Sequence, residues 1–170
     1  MDLNFQEHIP VLFPDQSRVW VYQSSRLFTL SEALEIENDI EAFSGDWNTH
    51  GAANKAYINL FFGQFLVIIA DETRQPVSGC STDSSVRFIK GLEQKFSVQF
   101  FDRQALAFIV KDKVQILPLG QLGYALENHF VTPDTLYFNN LVATKKELLE
   151  KWLIPLKDSW LAGRLNLEVK

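Results

Sequence analysis

The sequence predicts an α+β fold, and three observations carry the prediction. Short runs of β-branched and aromatic residues alternate with two amphipathic stretches of helical period. Two of the apolar runs are split by a glycine turn, the mark of a hairpin. Apolar residues make up 46% and charged residues 22% of 170, ordinary proportions for a single domain spanning residues 1–170 with a full core. Fourteen Phe and four Trp predict that this core is rich in aromatic rings.

The first strand is Arg18–Gln23. Ser24-Ser25-Arg26 leads toward a helix with Ser31 as N-cap, Ala33, Leu34, Ile36, Ile40 and Phe43 on or near one face, and Gly45 as the stop. A polar loop, Asp46–Gly51, follows. Tyr57–Phe62 and Phe65–Ala70 form the hairpin around Gly63-Gln64, and Asp71–Gly79 is a loop. A second helix is expected from about Ser84 to Lys95, capped by Asp83, with Val86, Ile89, Leu92 and Phe96 on one stripe and Phe88 beside it.

Ser97–Phe101 reads as a fourth strand. Ala105–Val110 and Val114–Leu117, joined by Lys111-Asp112-Lys113, read as another hairpin. After Pro118 a short helix carries Leu119, Leu122 and Leu126. Thr144-Lys145-Lys146-Glu147 is a capping box opening a helix through Trp152. Pro155 interrupts it, and a last turn or two holds Leu156, Trp160 and Leu161 before Gly163.

The order β-α-β-β-α-β is solved most simply by a ferredoxin-like core, an antiparallel sheet with helices on one face, here extended by the second hairpin and followed by C-terminal helices. That topology puts Trp47, Asn48, Thr49 and His50 at the same end of the sheet as Cys80, Ser81, Thr82 and Asp83, with Arg87 and Asp102 nearby. Ser24, Ser25 and Arg26 fall at the opposite end.

Charge and composition exclude several classes. The net charge is −5, and no basic run exceeds Lys145-Lys146, so the stripe that a nucleic-acid surface needs is missing. One cysteine permits no internal disulfide and no multi-cysteine zinc site, and suits a reducing, cytoplasmic setting. The acidic start, Met1-Asp2-Leu3-Asn4, has no signal-peptide pattern. The apolar stretch Tyr57–Ala70 is too short for a membrane span. His8, His50 and His129 show no metal-ligand spacing, and no cofactor is expected.

His50-Gly51, the hairpin through Phe65, and above all Ser78-Gly79-Cys80-Ser81-Thr82-Asp83-Ser84-Ser85-Val86 resemble an uncharacterised Bacteroidetes family often labelled "ABC transporter ATPase". Phe138-Asn139-Asn140 and Ser159-Trp160-Leu161 continue the resemblance, which covers most of the chain. It implies no particular catalytic residue. The label fails a physical test, because an ABC ATPase needs Gly-x-x-x-x-Gly-Lys-Ser/Thr to cradle phosphates. Gly120-Gln121-Leu122-Gly123 lacks the lysine.

Ser78 to Ser85 crowds hydroxyl and carboxylate groups around Cys80 just ahead of a helix. Three functions follow. In the first, the protein is a non-catalytic binding domain. Trp47, Ser81, Thr82, Ser84 and Arg87 then hold a small anionic molecule at the helix start. In the second, it is a thiol-dependent enzyme in which Cys80 is the nucleophile, His50 the base and Asp83 the orienting group. In the third, the cluster only caps a helix in a structural module, and Phe61-Phe62 and Phe100-Phe101 form a homodimer surface if one sheet face is uncovered. The local alternatives are a packed thiol at Cys80, a loop histidine at His50, a core-edge ring at Trp47, and backbone-bonding turns at Asn139-Asn140.

Overall fold

The computed structural model describes residues 1–50, 56–73 and 79–166, with side chains apart from those of 46–50 and 79–81. In chain order the elements are β1 (Arg18–Gln23), α1 (Leu30–His50), β2 (Ala56–Phe61), β3 (Phe65–Ala70), α2 (Gly79–Phe96), β4 (Ala105–Val110), β5 (Lys113–Pro118), α3 (Leu122–Glu127), β6 (Leu136–Phe138), α4 (Lys145–Lys151), β7 (Leu153–Pro155) and α5 (Leu161–Arg164). The fold is α+β. Its two sheets are ordered β1-β3-β2 and β5-β4-β6-β7, and every pairing is antiparallel.

Strand alternation sorts the core into layers. In β1, Trp20 and Tyr22 face α1 and α2, where they meet Ile36, Ile40, Ile89, Leu92 and Phe96. Val19 and Val21 face the other way, toward the second sheet. All six residues of β3 are buried, because helices cover one face of that sheet and the second sheet covers the other. This explains the unbroken apolar run Phe65–Ala70. In the second sheet Ala107, Ile109, Val114, Ile116 and Phe138 point toward the first. Leu106, Phe108, Val110 and Tyr137 point outward to Leu122, Ala125 and Leu161 of α3 and α5. Trp152 lies at the centre of the inter-sheet layer, with the rings of Phe5, Phe61, Phe62, Phe65 and Phe138 at 4.9 to 5.9 Å.

Ser97–Phe101 forms no strand, so the four-stranded ferredoxin-like sheet is not completed. Ser97 turns the chain with φ of 52°, and Phe100 drops into the core against Phe28. Single bonds hold the segment in place of a ladder. Ser25 N–H donates to the Gln99 carbonyl at 2.8 Å, Gln99 N–H to Ser25 Oγ at 3.0 Å, and Phe100 N–H to the Glu93 carboxylate at 2.8 Å. The second hairpin does not extend the first sheet either. It joins β6 and β7, two three-residue strands too short to show a period in sequence. Its turn is Lys111-Asp112, both at positive φ, with Lys113 already in β5. Pro155 ends β7 on the sheet edge, where a missing N–H costs no ladder bond.

The helix and turn boundaries also differ from expectation. Thr29, not Ser31, caps α1: its Oγ1 accepts the Glu32 N–H at 3.2 Å, and Glu32 accepts the Thr29 N–H at 2.8 Å. Gly45 does not stop α1, which runs on to His50, so Asp46–His50 is helical rather than a loop. Phe43 stacked on Phe88 at 4.4 Å holds these turns against α2. The second helix starts at Gly79, so Asp83 lies inside it rather than at its cap. In the first hairpin the positive-φ pair is Phe62-Gly63, one residue earlier than Gly63-Gln64. A Cβ at Gly63 would also sit 3.1 Å from Leu27.

Candidate functional site

The sheet register tests the end of the molecule that the sequence singles out. Arg18 and Ala56 both pair with Ala70. The strand flanks β1 and β2 therefore run the same way, and the end of α1 and the start of α2 fall at one end of the sheet. Trp47 and His50 lie in the last turns of α1, and Cys80 and Ser81 in the first turn of α2, with their side chains outside the described residues.

The neighbouring groups are described. Ser85 Oγ donates to the Thr82 carbonyl at 2.7 Å, Arg87 Nη2 donates to Ser84 Oγ at 3.3 Å, and Asp83 is exposed. These bonds close locally within the helix, as Ser and Thr side chains often do. Asp102 is not at this end: without the fourth strand, it follows Phe101, whose ring meets Tyr22 at 5.7 Å near the other end of β1.

The opposite end carries Ser24, Ser25 and Arg26, as the topology predicts. Arg26 donates to both Glu32 oxygens at 2.9 and 2.8 Å and to the Phe96 carbonyl at 2.7 Å. It ties the last turn of α2 to the first turn of α1. The guanidinium bonds, helped by the Thr29 N–H, hold the Glu32 carboxyl down to about 2. This cluster is fully paired and structural. Of the four ring residues considered for a dimer surface, Phe61 and Phe100 are buried and Phe62 packs on Phe65, Phe138 and Trp152. Of the four, Phe62 is half-buried and Phe101 is exposed, at 43%.

Phe101 borders a cleft of about 390 Å³ between the two sheets. Val21, Tyr22 and Gln23 all line it, as do Ala105, Leu106 and Ala107. Consecutive strand residues point to opposite faces, so a cleft touching three in a row runs over strand edges, here those of β1 and β4. Gln23 spans it: its Nε2 donates to the Ala105 carbonyl at 3.0 Å, and its Oε1 accepts from Asn140 Nδ2 at 2.9 Å. Trp152 Nε1 donates to Asn140 Oδ1 at 2.9 Å, which orients the amide.

Phe101, Leu141 and Trp160 form an exposed apolar rim. Trp160 Nε1 donates to the Tyr137 hydroxyl at 3.2 Å. Burial pushes the Tyr22 and Tyr137 phenols up. Among the described lining residues there is no serine, cysteine or histidine, and the one carboxylate among them, Asp102, accepts the Gln104 N–H at 2.9 Å.

The sequence leaves Asn139-Asn140 open between a ligand-reading pair and, more ordinarily, a backbone-bonding turn; Asn140 lines the cleft, with its amide bonded to Gln23 and Trp152. Sequence reasoning missed Gln23, Phe101 and Arg103. These have no motif spacing, and the cleft arises only when β1 and β4 meet. No family model matches the chain, and neither a curated protein nor a solved structure matches it. Among the described residues no helix is long and apolar enough to cross a membrane.

Proposed function

We propose that this protein is a non-catalytic binding domain whose ligand sits in the cleft between the two sheets. One observation carries the reading: a concave site of about 390 Å³ with an apolar, partly exposed rim and a lining that also includes Gln23, Asp102, Arg103 and Asn140. Such a combination is the ordinary form of a ligand site. Among its described lining residues there is no nucleophile–base pair, and the reading is therefore of binding. Titration of the ¹⁵N- and ¹³C-labelled protein with indole and small aromatic amides tests it. The expected result is shifts gathered at Phe101, Leu141 and Trp160, lost in Trp160→Ala. Shifts scattered over the surface, or none, would count against the cleft.

The shared end of α1 and α2 supports a second reading, in which Cys80 is a reactive thiol assisted by His50. The alkylation rate of Cys80 against pH tests it. A thiol titrating well below the ordinary value of about 8.5 favours the enzyme, and one at or above it makes Cys80 structural.

A further inference from the structure

The outward edge of β1 carries the inference. Ser24 N–H donates across to the Gln64 carbonyl on the β3 side, so by alternation Trp20 and Tyr22 also turn their main-chain groups toward β3, while Val19, Val21, Gln23 and Ser25 turn theirs away. The two ends of this outward edge are taken. Val19 N–H donates to the Ala143 carbonyl at 2.9 Å, and Ser25 N–H to the Gln99 carbonyl at 2.8 Å. Between them, no described residue pairs with the main-chain groups of Val21 or with the Gln23 N–H. This is the position that a fourth strand would fill. The cleft lies there, bordered by Val21, Tyr22 and Gln23 together.

We infer that this gap takes an extended peptide segment, which adds to β1 as a short antiparallel or parallel strand. The inference rests on the binding reading above and names its ligand. Three features favour a peptide over a compact molecule. An unpaired strand edge offers alternating donors and acceptors that another main chain satisfies in register. The open length, from Val21 to Gln23, is about 10 Å, room for roughly three extended residues.

The cleft also borders two flanking depressions through shared lining residues. It shares Phe101 and Asp102 with one of about 590 Å³ on the Gln99 side. It shares Leu141 and Trp160 with one of about 340 Å³ beside Asn139. An extended chain would lie across all three, with apolar side chains against the rim. The charges along this path balance: Lys90, Arg103 and Lys151 against Glu93, Asp102 and Asp158. That balance suits a neutral backbone and not a phosphate polymer.

The test uses the full ¹⁵N-labelled chain in two steps. Without ligand, amide exchange along β1 should alternate, fast at Val21 and Gln23 and slow at Trp20, Tyr22 and Ser24. Protection at Val21 and Gln23 in the free chain would mean that the edge is already filled and would overturn the inference. The probe is a pool of acetylated, amidated pentapeptides of alternating threonine and valine, with the central position varied over all twenty residues.

Binding members should slow exchange and shift the amides at Val21 and Gln23. N-methylation of the peptide main chain, or Val21→Pro, should weaken binding roughly tenfold, the loss of about one hydrogen bond. The Val21→Pro variant keeps its ladder to β3, because the deleted N–H is the outward one. Should Val21→Pro unfold the chain, the N-methylated peptide alone decides. A pool with no member that protects these amides, or binding indifferent to N-methylation, sinks strand addition. If indole still shifts Phe101 and Trp160 in that case, the cleft survives as a small-molecule site. If neither probe binds, both readings fall.

Discussion

The start of α2 and the open edge of β1 are opposite kinds of surface. The first is dense in hydroxyl and carboxylate side chains, yet its described bonds close on themselves, Ser85 on Thr82 and Arg87 on Ser84. At the second, the Gln23 and Asn140 side chains are bonded within the protein, but the main-chain groups of Val21 and the Gln23 N–H have no partner among the described residues. Capacity to bind follows hydrogen bonds left unmade, because an unsatisfied group in a partly dry site gains most from a ligand. Polar density alone is no guide to it.

The largest test of this contrast is Trp152→Ala. The indole is fully buried, and its N–H fixes Asn140 at the cleft. Removing it should lower stability by about 3–5 kcal/mol, the usual cost of deleting a large buried ring. Urea denaturation measures this. A cost under about 1 kcal/mol would mean that the inter-sheet layer repacks, and that the cleft is not a fixed shape.

Next in size is Ser85→Ala. Its side chain is buried, and the hydroxyl donates to the Thr82 carbonyl at 2.7 Å. The expected loss is about 1 kcal/mol, the net worth of a typical intramolecular hydrogen bond, read from the shift in denaturation midpoint. A loss near zero would show that the α2 start is bonded more loosely than the contrast requires.

The two regions differ in the same way in how legible they were. The hydrophobic stripes Ile36–Ile40 and Ile89–Leu92–Phe96, the Thr144 cap and both hairpins follow from local period and turn chemistry. They emerge as expected, apart from the hairpin turns, which differ by one residue, because each rule acts within a few residues. Gly45 misled, since one helical glycine costs only about 1 kcal/mol and the Phe43–Phe88 stack outweighs it. Ser97–Phe101 misled because Phe100 is pulled into the core by Phe28 and leaves the sheet plane. The cleft was illegible for a different reason: Gln23 and Asn140 stand 117 residues apart, and its main feature is backbone with no side-chain signature.

Titration separates two further parts of the structure. Tyr22 and Tyr137 ionise above the ordinary tyrosine value of 10.0, chiefly because burial disfavours the phenolate. Their folded values are raised, so the stability linked to them is fully present below pH 10 and falls as pH rises through and beyond it. Denaturation midpoints between pH 8 and 11 should fall less steeply in Tyr22→Phe than in the natural chain. Glu32 behaves oppositely. Its value is lowered to about 2, so the stability from the Arg26 pair is present above the ordinary carboxylate range and is lost as pH falls toward 2. Glu32→Gln should therefore be the less stable protein at pH 7, and the difference should shrink as pH falls through about 2 and be gone well below it. A difference that persists there would assign the loss to the Thr29 cap and not to the ion pair.

The smallest expected effect bears most directly on the contrast. Arg87 is exposed and donates one bond to Ser84, at 3.3 Å. Arg87→Ala should change stability by less than about 0.5 kcal/mol, as most exposed substitutions do. The informative quantity is how sulfate changes the thermal midpoint of the two proteins. If the hydroxyls at the start of α2 serve only the helix, sulfate shifts both midpoints equally, through its general exclusion from protein surfaces. If they form an anion site with Arg87, the natural chain gains an extra, saturable shift that the variant lacks. That outcome would reverse the contrast, because the end rich in side chains would then be the one with hydrogen bonds to spare.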